Sequence, residues 1–218
     1  MIILLFLIGF GLGLLYAFIG DMLPLYVPEV VKKEENSWIF NLFIGILNAL
    51  VILVSYYSFG ISYEFFASLI IAGLVFIIFI SDFKYMIILD SPLIAATLLI
   101  LIFRAYFYGF KNMGLSLLSG VALFLIMLLI AFIGKKIFKR DALGGGDIKL
   151  AGVMGIILGF PLGLVSIIFS SLLALPYALG AIMLNKDSEV PFGPFLIASM
   201  AIVFVFIDKF SNLIAFLF

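Results

Sequence analysis

The chain contains no cysteine and no histidine. The first absence excludes a disulfide framework and a cysteine-ligated zinc. The second removes Ser-His-Asp, Cys-His and His-metal chemistry together. Charge is scarce too, and the 12 basic and 12 acidic residues cancel to a net charge of zero. That balance argues against a nucleic-acid partner. Any catalysis must draw on carboxylates, lysines, tyrosines or the backbone, and no metal or cofactor is expected.

What the chain has instead is apolar length. It is 67% hydrophobic and only 11% charged, with a mean hydropathy of +1.42. A soluble domain carries far more charged surface, so the expected class is an all-α, polytopic integral membrane protein. Each span needs about 20 apolar residues. Residues 1–20 give the first, and without a basic n-region or a small-residue cleavage site they read as a retained span. After the polar insert 21–37, further spans read as about 38–59, 64–81, 91–109 and 115–134. Residues 150–185 form an uncharged run of 36, which "GFPLG" at 159–163 divides in two. The last span is about 195–216, making about eight.

Alternating spans sort the basic residues. One side carries Lys32, Lys33, Lys84, Lys135, Lys136, Lys139, Arg140, Lys149 and Lys186, whereas the other has Arg104, Lys111 and Lys209. Nine against three makes the first side cytoplasmic in the cell membrane. Asp82, Asp90, Asp147 and Asp187 fall on that side.

Two of the seven aspartates stand out by position. Asp82 ends an uncharged run, and Asp147 follows Gly144, Gly145 and Gly146 before another. A carboxylate at a membrane edge is costly unless solvated or paired, so each is either a functional group or an ordinary boundary charge. The glycines tilt Asp147 towards function, because they supply backbone freedom and close approach. A phosphate loop is disfavoured, since no Lys-Ser/Thr follows them. Two neighbouring carboxylates can share one proton and act as an acid–base pair for peptide hydrolysis. The helix dipole favours the anion at a helix start and the neutral acid at a helix end. Asp147 accordingly leans towards base and Asp82 towards the protonated partner, with the two titrating as a unit.

"DALGGGDIKLAGVMGIILG" closely resembles the second active-site motif of the type IV prepilin peptidases, the GxGD membrane aspartyl proteases. Gly144-x-Gly146-Asp147 matches the GxGD, followed by the family's Lys149 and Leu150. "SDFKYMIILD" resembles the first motif, with Asp82 and Asp90 as its aspartates eight residues apart. The family's proline before the second is replaced by Leu89, with Pro92 nearby. "VPFGPFL" at 190–196 resembles the PFGP motif before the last span. The likeness covers residues 64–218 as a protease core, with 1–63 as a two-helix segment carrying a short cytoplasmic loop.

The resemblance implies that Asp82 and Asp147 are catalytic, and that a prepilin-like or preflagellin (archaellin) precursor loses its short leader at the cytoplasmic membrane edge. Gly144 and Gly146 would give the peptide and the carboxylates room. Lys149 is a substrate contact or a positive-inside anchor. Asp90 orients water or the loop, or caps the helix that begins at Ser91. Phe192, Gly193 and Pro194 shape substrate access or form a re-entrant turn. In the N-terminal part, "GLLYAFIGDMLP" keeps Gly13, Leu23 and Pro24 of the bacterial "GSFLNVVIYRLP"-like segment, and the four-cysteine insert is missing. That departure counts against the methyl transfer of bacterial members and is more like the archaeal ones. A presenilin-like protease fits less well, because Ser81 stands where Tyr precedes the aspartate and "ALP" at 174–176 lies within a span. A small membrane transporter would want its acids within a span rather than at one edge.

Overall fold

The computed structural model describes residues 1–27, 30–31, 36–139, 143–183 and 191–217. Lys32, Lys33, Arg140, Lys186 and Asp187 of the charge count lie outside the described residues. Among those described, every regular element is a helix. The all-α membrane class therefore holds. Contacts divide the chain into two compact units, residues 1–103 and 104–218.

In the first unit, α1 (Ile2–Met22) is followed by one 3₁₀ turn (Leu23–Tyr26), then α2 (Trp38–Phe59) and α3 (Tyr63–Tyr85). Serine hydroxyls start the second and third helices: Ser37 Oγ accepts from Phe40 N at 3.2 Å and Ser62 Oγ from Phe65 N at 3.3 Å. Each such cap contributes about 1 kcal/mol. The three helices pack mutually. Lipid is as apolar as leucine, so what brings membrane helices together is close approach rather than hydrophobicity. Gly9 and Gly13 supply it on α1. A Cβ on Gly9 would stand 2.7 Å from Ala49 Cα, and one on Gly13 2.7 Å from Gly45 Cα. Asn48 seals the same seam, its Nδ2 donating to Gly9 O at 2.7 Å. A core of Ala17, Ile44, Ala72, Phe76 and Ile80 continues the packing up to the end of α3.

Helix α4 (Asp90–Phe138) begins in the first unit and ends in the second, and it is broken at Gly109, where φ is 80°. Asn112 Nδ2 donates to Tyr108 O at 2.7 Å across that break. The second unit continues with α5 (Gly145–Leu158), α6 (Phe160–Met183), α7 (Gly193–Val205) and α8 (Ile207–Leu217). Helix α5 packs on α6 and α7, and α8 rests against both of those. Gly120 and Gly155 let α4 and α5 cross closely: a Cβ on Gly155 would lie 2.8 Å from Gly120 Cα.

Within the described residues each of the eight expected segments contains a helix, but eight crossings are not confirmed. Among the described residues five helices are long and apolar enough to cross a membrane, or up to six if the bent pair α7–α8 counts as one span. Helix α5 has 14 residues, a rise of about 21 Å, short of the roughly 30 Å hydrocarbon layer. It stops where expected, at Gly159 with φ 82°. Its terminal carbonyl at Ile157 accepts from Arg104 Nη2 at 2.9 Å, and Arg104 Nη1 also donates to Ser116 Oγ. The expected last span is bent by 86° between Val205 and Ile207. In α8, Ile207, Phe210 and Ile214 are half-buried while Asp208, Lys209, Ser211 and Asn212 are exposed, the pattern of a helix along an interface.

Candidate active site

Asp82 lies in the last turn of α3. It is 6% exposed, next to fully buried Ser81 and two positions after Ile80 of the core. Its carbonyl accepts from Met86 N at 2.9 Å, closing the helix. Met86 takes the left-handed conformation, with φ 58°, which costs about 1–2 kcal/mol for a residue with a Cβ. The surrounding packing therefore has to hold this helix end in place.

Asp21, Lys84, Tyr85 and Asn36 do so. Asp21, in the last turn of α1, forms an ion pair with Lys84, and both are largely buried, at 14% and 15% exposure. The Tyr85 hydroxyl donates to the same Asp21 oxygen at 3.2 Å, and Lys84 Nζ also reaches Asn36 Oδ1 at 3.5 Å. One turn below, Gly20 admits α3 so closely that a Cβ would stand 3.0 Å from Ile80 Cβ and 3.1 Å from Ile77 O. The ends of α1 and α3 thus share one end of their unit, as the alternating spans require of Asp21 and Lys84. The pairing itself was not legible: Asp21 reads as the first residue of a polar insert and Lys84 as one more positive-inside charge. A Gly-Asp at the close of an apolar run was the available signal.

Asp147 opens α5 in the second unit. Gly144 is the N-cap, in extended conformation (φ −69°, ψ 145°), so Asp147 is the third helical residue. This is the position from which a side chain folds back towards the cap, and the positive helix end there favours an anion. Asp147 is 9% exposed, and every residue from Leu150 to Leu158 behind it is buried. A Cβ on Gly144 would stand 3.1 Å from Asp147 Oδ2. With φ negative, Gly144 is required for room rather than for backbone conformation. Gly145 faces open space at the same position.

Beside Gly144 and Gly145 lies an apolar groove of about 800 Å³. Leu125, Leu129, Phe132 and Lys135 of α4 and Ile148 of α5 line it. The end of α4 and the start of α5 therefore lie at one end of this unit.

The other expected site residues fall as follows. Gly146 is the second residue of α5 and half-buried, and Lys149 is the fifth and exposed. Asp90 is the exposed first residue of α4, with Pro92 in the first turn. Phe192 is the N-cap of α7, and Gly193 and Pro194 are buried in its first turn. Helices α5 and α7 pack on each other, which places Asp147 and the PFGP residues on neighbouring elements of one unit. Among the described residues no cluster of three acidic side chains suits a metal ion.

Residues 69–179 match the type IV leader peptidase family. The chain belongs to that family. It is 30% identical over 160 residues to the prepilin leader peptidase/N-methyltransferase of Bacillus subtilis (strain 168), covering 69% of this chain and 60% of that protein. It is also 30% identical over 161 residues to the protein of the same name from Vibrio cholerae serotype O1, covering 70% of this chain and 61% of that one. The matched part thus spans about 60% of the length of these relatives. No solved structure matches the chain.

Proposed function

We propose that this member of the leader peptidase family is a membrane aspartic endopeptidase. Its substrates in this reading are type IV prepilin-like or preflagellin (archaellin) precursors, cut at the end of a short cytoplasmic leader. The observation that carries the reading is the start of α5, where the GxGD motif holds a buried carboxylate against a glycine inside the segment that matches the family. Asp82, the second carboxylate, is equally sheltered at the end of its own helix.

In the proposed reaction Asp147 takes a proton from water as the water oxygen attacks the peptide carbonyl carbon. Asp82, as the protonated partner, donates to the carbonyl oxygen. Asp147 then gives that proton to the amide nitrogen while a hydroxyl of the tetrahedral diol returns one to Asp82, and the C–N bond breaks to release the leader and a new N-terminal amine. A chain without histidine can run this cycle on carboxylates alone. Catalysis is assigned to residues 64–218, at the cytoplasmic membrane edge where the basic residues gather. The apolar groove beside Gly144 and Gly145 suits the hydrophobic segment that follows a leader. Both curated relatives carry N-methyltransferase in their names, whereas this proposal extends to the peptidase activity.

The test is incubation of purified protein in detergent with prepilin-like and preflagellin-like substrates, with the new N-terminus read by mass spectrometry. A single cut between leader and apolar segment supports the proposal. Intact substrate across both classes refutes it.

A further inference from the structure

The ion pair at the end of α1 has no part in the two-carboxylate chemistry, yet it sits on the helix end that presents Asp82. Lys84 and Tyr85 are the second and third residues after Asp82, and both bind the same oxygen of Asp21. Asp21 belongs to a different helix, 61 positions earlier in sequence than Asp82. The Gly20 contact with Ile77 and Ile80 holds that helix against the preceding turn of α3. Helix ends fray first, and this one closes on a strained Met86 whose N–H binds the Asp82 carbonyl. Left to itself, the turn carrying Asp82 is the part of α3 most free to unwind. Asp21 opposes that with two hydrogen bonds from a largely desolvated site, where charge-assisted bonds are strong.

We propose that Asp21 is a positioning residue for Asp82: by anchoring Lys84 and Tyr85 it fixes the helix turn from which the Asp82 carboxylate projects. The inference rests on the catalytic reading of Asp82. Asparagine at position 21 keeps the shape but loses the charge that holds Lys84. Glutamate keeps the charge on a longer stem. A misplaced catalytic group slows the chemical step more than it weakens binding of a substrate held elsewhere.

The experiment compares wild type with Asp21→Asn, Asp21→Glu and Asp82→Asn in leader cleavage. Because the chain has no cysteine, a single Phe83→Cys also allows a nitroxide to report the mobility of this turn. The inference expects Asp21→Asn to lower kcat about tenfold with KM within about twofold, Asp21→Glu to recover most of the rate, and the nitroxide to become more mobile with Asn at position 21. Full kcat in Asp21→Asn, with Asp82→Asn silent, overturns the positioning role and leaves the catalytic reading standing. An active Asp82→Asn overturns the catalytic reading itself. Equal loss in the Asn and Glu variants together with a lowered melting temperature shows a merely structural role. An unchanged nitroxide spectrum overturns the clamp even where no cleavage can be measured.

Discussion

The carboxylate of Asp147 lies so close to Gly144 that a methyl group on Gly144 would stand 3.1 Å from Oδ2. The first glycine of the motif is thus the space into which the aspartate folds, and the helix N-terminus supplies the favourable field around it. The next glycine has no such duty.

That contrast separates two neighbouring substitutions. Gly144→Ala pushes the carboxylate aside by a few tenths of an ångström and is expected to lower kcat about tenfold or more, since small displacements of a reacting group are costly. Gly145→Ala meets nothing within 4 Å and is expected to keep activity within about twofold while gaining up to about 1 kcal/mol of helix propensity. Kinetics of the two purified variants check this. Equal losses at both positions contradict the packing argument.

Stability in the first unit rests on glycine contacts that leave no room for a side chain. Gly13→Ala places a Cβ 2.7 Å from Gly45 Cα and 2.8 Å from Ile44 O. These are backbone atoms that cannot swing away. Overpacking of this kind costs about 1–3 kcal/mol, so thermal unfolding in detergent should fall by several degrees. Gly11→Ala, with open space around it, is the matched control and should leave the melting temperature unchanged or slightly raised.

At the far end of α5, Arg104 answers the carbonyl of Ile157 and the hydroxyl of Ser116 with separate nitrogens. Arg104→Leu leaves a helix-terminal acceptor without its donor, at a cost of about 1–3 kcal/mol. Arg104→Lys should fall between, because one ammonium lacks the planar fork. Melting temperatures in the order Arg, Lys, Leu are expected. A leucine variant as stable as wild type contradicts this role.

The side assignment is testable because the natural chain has no thiol. Single cysteines at Lys149 and Lys111, both exposed, are expected to react with an impermeant maleimide from opposite faces, Lys149→Cys from the cytoplasmic one. Labelling of both from one face contradicts the charge-based orientation.

Much of the fold follows from apolar run length and punctuation. Gly159 ends a helix where the "GFPLG" break predicts it, Gly60 ends another just after the expected span 38–59, and Ser37 and Ser62 start helices. What run length cannot supply is crossing geometry. The run 195–216 is apolar enough for a span, yet the chain turns through 86° within it, and the polar face of α8 is the only local sign. Span counting likewise says nothing of helix length against membrane thickness, which is where α5 falls short. The motifs single out Asp82 and Asp147 because each sits at an abrupt boundary between glycine or charge and apolar sequence. Asp21 escaped notice because its meaning depends on Lys84 and Tyr85, more than 60 positions away. The use of Gly144 as room for a carboxylate became visible only once the side-chain direction was known.

The central claim is that Asp82 and Asp147 together cleave the leader. It is tested most directly by incubating a prepilin-like substrate with wild type, Asp82→Asn and Asp147→Asn, each shown to be folded by its melting temperature. The account predicts cleavage at the leader junction by wild type and a loss of at least about a thousandfold in each variant, about 4 kcal/mol of transition-state stabilisation. Wild-type rates in either folded variant would contradict it.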